Sequence, residues 1–154
     1  MSVKKILSPD DVRLKVNMKD ILGRDLPDNE DILDAIAQKA MDMIIERTKD
    51  GKDVSGRPFK AYAKSYLSGD SFAAFGKSKR VDLTLSGDML GLMEVLTTTK
   101  NTFEIGWTDS EENAKAYNHN VGDTLPKRAF LGLQKQELKE LRDFAEGLIK
   151  DGDG

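Results

Sequence analysis

Residues 94–107 read EVLTTTKNTFEIGW, two runs of branched and aromatic residues on either side of Lys100-Asn101. Threonine, branched and aromatic side chains suit a half-buried pleated surface. A two-residue tip between two such arms predicts a β-hairpin. The hairpin decides the fold class because helical patterns lie on both sides of it. Downstream, SEENAKAYNHNVG predicts a short helix capped by Asp109 or Ser110 and ending near Gly122. Residues 134–149 then repeat Leu138, Leu141, Ala145, Leu148 and Ile149 on one face, which predicts a final amphipathic helix. The closing DGDG reads as a loose tail over 151–154.

Upstream, PDNEDILDAIAQKAMDMIIERTKDG is the strongest helical pattern in the chain. Asp28 or Asn29 can accept from the first free backbone amides, and Glu30 and Asp31 suit the positive end of the helix dipole. Ile32, Leu33, Ile36, Ala40, Met43 and Ile44 recur at three- and four-residue spacing, and Gly51 supplies the stop. Before it, residues 12–18 alternate apolar and polar as in a strand. The same region also suits a helix capped by Ser8 or Asp10 and running to Leu22. Residues 50–80 hold four glycines and no sustained period, and read as an extended loop or arm. Beyond it, Val81, Leu83 and Leu85 alternate with polar residues, and a short helix is expected from Ser86 or Gly87 through Met89, Leu90 and Met93. The whole predicts a single α+β domain over 1–154, a small antiparallel sheet packed by a long N-terminal helix and a C-terminal helix.

Several chemistries lack the residues they need. Hydrophobic residues make up 38% and charged residues 33%, so the monomer has little apolar material beyond one core. With no cysteine there is no disulfide, thiolate nucleophile or cysteine metal site. The first residues carry only the short apolar pair Ile6-Leu7, too little for a signal-peptide core or a membrane span, which predicts a soluble, unsecreted protein. His119 is the only histidine, so a histidine-pair metal site is excluded. Residues 50–56, DGKDVSG, lack the alternating oxygen ligands and closing glutamate of a calcium loop. Neither a phosphate-cradling glycine loop nor a nucleophile-elbow serine occurs. The chain reads as a non-enzyme with no cofactor and no metal.

Cations and aromatics do interleave in the arm. Arg57, Lys60 and Lys64 alternate with Phe59, Tyr62 and Tyr66, and Lys77, Lys79 and Arg80 follow Phe72 and Phe75. Such a mixture suits either a single-stranded nucleic acid or a neighbouring protein subunit. The net charge of -3 gives no general attraction to phosphate and argues against the nucleic-acid reading.

Taken in order, these segments resemble the virion morphogenesis or tail completion family of tailed bacteriophages. Leu83, Thr84, Ser86, Gly87 and Leu90 match one box of that family, and Ile105-Gly106 match its strand end. Tyr117, His119 and Gly122 match a third box. Leu125, Pro126, Arg128, Phe130, Leu131 and Gly132 match the last. The similarity covers residues 29–150. Phe59 stands where the family has tryptophan, Asn118 where it has alanine, and Ala129 where it has a second proline.

The resemblance implies a structural protein of the virion, at the neck or tail end, made in the host cytoplasm and working as a ring of about six copies. Its partners would be other neck, connector or tail-tube proteins. Arg57, Phe59, Tyr62, Tyr66, Lys77, Lys79, Arg80, Arg128 and Phe130 are the expected contacts with a neighbouring subunit or partner. Phe130 and Leu131 would anchor the last box either in the chain's own core or in a neighbour.

Overall fold

The computed structural model describes residues 2–58, 89–122 and 129–153. Strands β1 (Val3–Ser8) and β2 (Asp11–Asn17) form a hairpin, and α1 (Met18–Leu22) and α2 (Glu30–Lys49) follow. A second hairpin comprises β3 (Glu94–Thr98) and β4 (Thr102–Gly106), and α3 (Ser110–Val121) and α4 (Lys135–Asp153) complete the fold. The strands lie in the order β1-β2-β4-β3, with every pair antiparallel. The fold is α+β, with helices on both the N- and C-terminal sides of the second hairpin. Among the described residues, no helix is long and apolar enough to cross a membrane.

Alternation makes the sheet one-sided. Val12, Leu14 and Val16 of β2 and Phe103 and Ile105 of β4 are buried on one face. On the other face, Glu104 accepts from Thr97 Oγ1 at 2.6 Å and from Arg13 at 3.4 Å. Helix α2 packs on β3 and β4, α4 packs along α2, and α3 meets β1 and β2. Ile36, Ala40 and Ile44 of α2 and Leu141, Ala145 and Ile149 of α4 enter the same core as the sheet. Burying these side chains supplies the main favourable free energy, on the order of 1.5–3 kcal/mol for each large aliphatic.

The two readings of residues 8–22 each describe part of the outcome. Alternation holds through β2, and a one-turn helix follows. Asn17 ends the strand and caps α1 by accepting from the amides of Lys19 and Asp20. For α2, Asn29 is the cap, accepting from Asp31 N–H at 2.9 Å. For α3 it is Asp109, accepting from Glu112 N–H at 3.0 Å. The second hairpin turns at Lys100-Asn101 as expected, with Thr99 and Thr102 exchanging both backbone hydrogen bonds.

Two expectations change, and one strand forms where none was expected. Strand β1 has no clear alternation of its own; it forms because β2 offers it a partner, with Val3, Lys5 and Leu7 opposite Val16, Leu14 and Val12. Residues 89–92 form turns instead of the end of a short helix, and their apolar side chains still reach the core at Met89, Leu90 and Met93. Helix α4 runs on to Asp153, past the expected end at residue 149 and through most of the expected loose tail. Nothing in Lys150-Asp151 breaks a helix, and Lys150 suits its negative end. Residues 81–88, including the alternation at Val81, Leu83 and Leu85, and most of the expected arm lie outside the described residues.

Gly106 shows how tightly the hairpins fit. A Cβ there would stand 2.5 Å from the Val12 carbonyl oxygen and 2.9 Å from Leu96 Cδ1. Leu96 is the extra residue of a bulge, since the register shifts between Val95 and Thr97. The backbone oxygen cannot move without breaking the β2–β4 ladder. Gly106→Ala should therefore cost about 1–3 kcal/mol, the usual range for overpacking a filled site. Urea unfolding of the variant measures this, and an unchanged midpoint would show that the two hairpins are not in close contact there.

Candidate functional site

Of the nine residues expected to make contacts, the structure describes Arg57 and Phe130. Phe59, Tyr62, Tyr66, Lys77, Lys79, Arg80 and Arg128 lie outside the described residues. Phe130 is a correction to its expected place at an interface. It is fully buried in the chain's own core, with its ring edge-on to Trp107 at 6.0 Å between centroids. Trp107 in turn donates its indole N–H to the Met89 carbonyl at 2.6 Å. The physical reason is packing: the aromatic fills the space beside the end of β4, and burying its full area at home outweighs offering it to a partner.

Arg57 is exposed, and a tight turn sets its backbone. The Asp53 carboxylate accepts from Ser55 N–H at 2.9 Å, Ser55 Oγ at 2.7 Å and Arg57 N–H at 3.0 Å. Asp53 N–H donates to the Arg57 carbonyl at 2.7 Å, and Lys52 and Pro58 form an isolated β-bridge. Partial burial alone would raise the Asp53 pKa. The hydrogen bonds from Ser55 and the Arg57 amide outweigh it and hold the group below the ordinary carboxylate value. Val54 N–H donates to the Ala129 carbonyl at 2.8 Å, so this turn is pinned to the segment that carries Phe130.

That segment is organised around Arg47, which sequence reasoning missed. Its guanidinium is 6% exposed and donates to the carbonyls of Phe130 and Gly132 and to Glu137, itself 8% exposed. Burial draws the Arg47 pKa down while Glu137 opposes the change; an arginine remains cationic in either case. Glu137 also accepts from Gln134 N–H at 2.9 Å, closing half a capping box at the start of α4. One ion pair thus joins the end of α2, the segment 129–133 and the first turn of α4. The sequence did hold a signal: Arg47 continues the buried stripe of Ile36, Ala40 and Met43, where a cation is out of place.

Gly132 makes the approach possible. Its φ is +146°, and a Cβ would stand 2.7 Å from Val54 Cγ2 and 3.0 Å from Lys5 Cε. The buried polar face of α3 holds the other side. Asn120 accepts from Leu131 N–H at 3.0 Å, and Asn113 accepts from Val12 N–H at 2.8 Å and donates to the Pro9 carbonyl at 3.0 Å. His119 is half-buried on this helix. Among the described residues, no group of three histidine or acidic side chains is placed to hold a metal.

Two surfaces flank α4. On one side, Lys135, Lys139 and Arg142 line a broad cleft of about 830 Å³ with Ser2, Asp20 and Ser55. On the other, Glu46, Asp50 and Glu140 border a groove of about 270 Å³ whose floor is the Arg47–Glu137 pair. The arrangement offers charge and shape for contact with another molecule. Comparison with family models, with curated proteins and with solved structures finds no match.

Removing one member of a buried ion pair leaves the other charge stranded. Arg47→Ala should lose about 3–5 kcal/mol in chemical unfolding. The double variant R47M/E137M should recover only part of this, because the Phe130 and Gly132 carbonyls still lack donors; stability equal to wild type in either variant would contradict the account.

The pH dependence follows from Asp53 and from Glu104. The Glu104 pKa is lowered first by the Thr97 hydroxyl and further by Arg13, against the cost of burial. A carboxylate with a lowered native pKa adds stability that is complete above its unfolded value, near 4, and is lost as pH falls through the native value. Unfolding midpoints should fall between pH 5 and pH 3, and Asp53→Asn should shrink that fall. An equal fall in the variant would remove Asp53 from the acid response.

Proposed function

We propose that the protein is a structural, non-enzymatic component of a tailed-bacteriophage virion that completes the tail or joins it to the head, as a ring. The observation that carries the reading is the ordered series of short boxes, together with the physical demands on their residues. Gly106 stands where no side chain fits, Gly122 closes α3 with a left-handed cap, and Gly132 lies where both its φ and its neighbours require glycine. Phe130 and Leu131 are fully buried. These demands on the described box residues support reading them as features of one fold.

A ring built from one chain needs two different surfaces on each copy, and closes when the rotation between copies closes. Among the described residues, a core that already holds the sheet and the helices suits a subunit that folds before it assembles. The rival reading is a small nucleic-acid-binding protein that uses Arg57, Lys77, Lys79 and Arg80.

Light scattering on a sizing column across a concentration series, followed by negative-stain imaging, tests the proposal. The expected result is a closed ring of about six copies of the 17.1 kDa chain. A monomer at every concentration that also shifts a DNA duplex at moderate salt would overturn it in favour of the rival.

A further inference from the structure

We propose that the acidic groove between α2 and α4 of one copy receives the basic flank of α4 of a second copy. This rests on the ring reading and names the two surfaces that would meet in it. Lys135, Lys139 and Arg142 recur at i, i+4 and i+7 of α4, all exposed. Among the described residues, Lys135 and Lys139 make no ion pair, and Arg142 has only its neighbour Asp143 at 4.0 Å. Across the helix, Glu46, Asp50 and Glu140 share one groove, and none of the three is ion-paired among the described residues.

A surface helix ordinarily mixes its charges so that residues three and four apart attract. On the basic flank of α4, Lys135 and Lys139 and then Lys139 and Arg142 are like charges at those spacings, with Asp143 and Glu146 four residues past Lys139 and Arg142, and the groove sets Glu46 of α2 and Asp50 at its end beside Glu140 of α4. The flank is net basic and the groove net acidic, so each complements the other. The occupant that carries both surfaces, at equal concentration and in fixed proportion, is another copy of the same chain. Because the surfaces differ, the contact is heterologous and leaves one of each open until a ring closes. Asp20 in the basic cleft and Lys52 in the acidic groove set limits on register by placing one opposite charge in each.

The test uses the full chain and two charge-reversed variants, K135E/K139E and E46K/E140K, each first shown to be folded by circular dichroism. The four reversed positions are all exposed, so reversal spares the core. At a concentration where wild type is fully assembled, each variant alone should be monomeric by light scattering. An equimolar mixture should reassemble, since reversed flank then meets reversed groove. Raising salt from about 50 to 500 mM should weaken the wild-type assembly at least tenfold, as screening shortens the reach of exposed charges. Wild-type rings with both variants assembling normally would overturn the proposed surfaces and leave the ring intact. A wild type that stays monomeric at every concentration would remove both the surfaces and self-assembly. If K135E/K139E abolishes binding of a labelled DNA duplex while self-assembly persists, the basic flank belongs to nucleic acid and the proposal fails.

Discussion

The buried guanidinium of Arg47 is the constraint on which the rest of this fold depends. An arginine deep in a core is costly unless its donors find acceptors, and here both terminal nitrogens find them, in segment 129–133 and in the first turn of α4. Segment 129–133 has no secondary structure of its own, and its Phe130 and Gly132 carbonyls would lose these donors if Arg47 were absent. Both are satisfied by one side chain, whose charge is balanced by the glutamate that also starts α4. The direction in which α4 leaves, and so the shape of both clefts beside it, follows from that single arrangement.

The sheet applies the same logic with smaller parts. Asparagine side chains do much of the joining between elements. Asn101, at the tip of the second hairpin, donates to Asp25 at 2.9 Å and accepts from Leu26 N–H at 2.8 Å, and its carbonyl takes Met18 N–H at 2.7 Å. Its neighbour Lys100 and the nearby Lys19 both approach the Asp25 carboxylate, whose pKa is lowered first by Asn101 and then by these cations. Asn113 and Asn120 play the equivalent part for α3. An amide that donates and accepts at once can satisfy two strand or loop ends without adding charge.

Elements with a strong period of their own were legible in the sequence. The α2 stripe, the threonine-rich hairpin and its tip, both ends of α3 and the amphipathic α4 were each readable because local propensity and tertiary burial agree in them. Strand β1 was not, because a third of its residues are lysine and its pairing is set by β2. The turns at 89–92 were read as helix because Met89, Leu90 and Met93 stand at helical spacing, and the same three side chains also reach the core from a turn that leaves Leu92 exposed. Phe130 was placed correctly as an anchor, but the choice between its own core and a neighbour needed the position of Trp107. Arg47 was passed over because charge on a helix is normally read as a solvated face. The clefts beside α4 depend on which helices adjoin, and a one-dimensional period cannot give that.

The central β2–β4 pairing sets residue 17 opposite residue 102, while each hairpin closes locally. The chain must therefore bring two independently formed hairpins together across a separation of more than half its length. That docking is the kind of long-range pairing whose loop-closure entropy slows folding. The cost of closing a loop grows with the logarithm of its length, roughly 0.6 kcal/mol for each doubling. The stretch between α2 and β3 is thus where this architecture tolerates inserted or deleted residues most cheaply. The sheet, the asparagine joints and the buried ion pair do not depend on the length of that stretch.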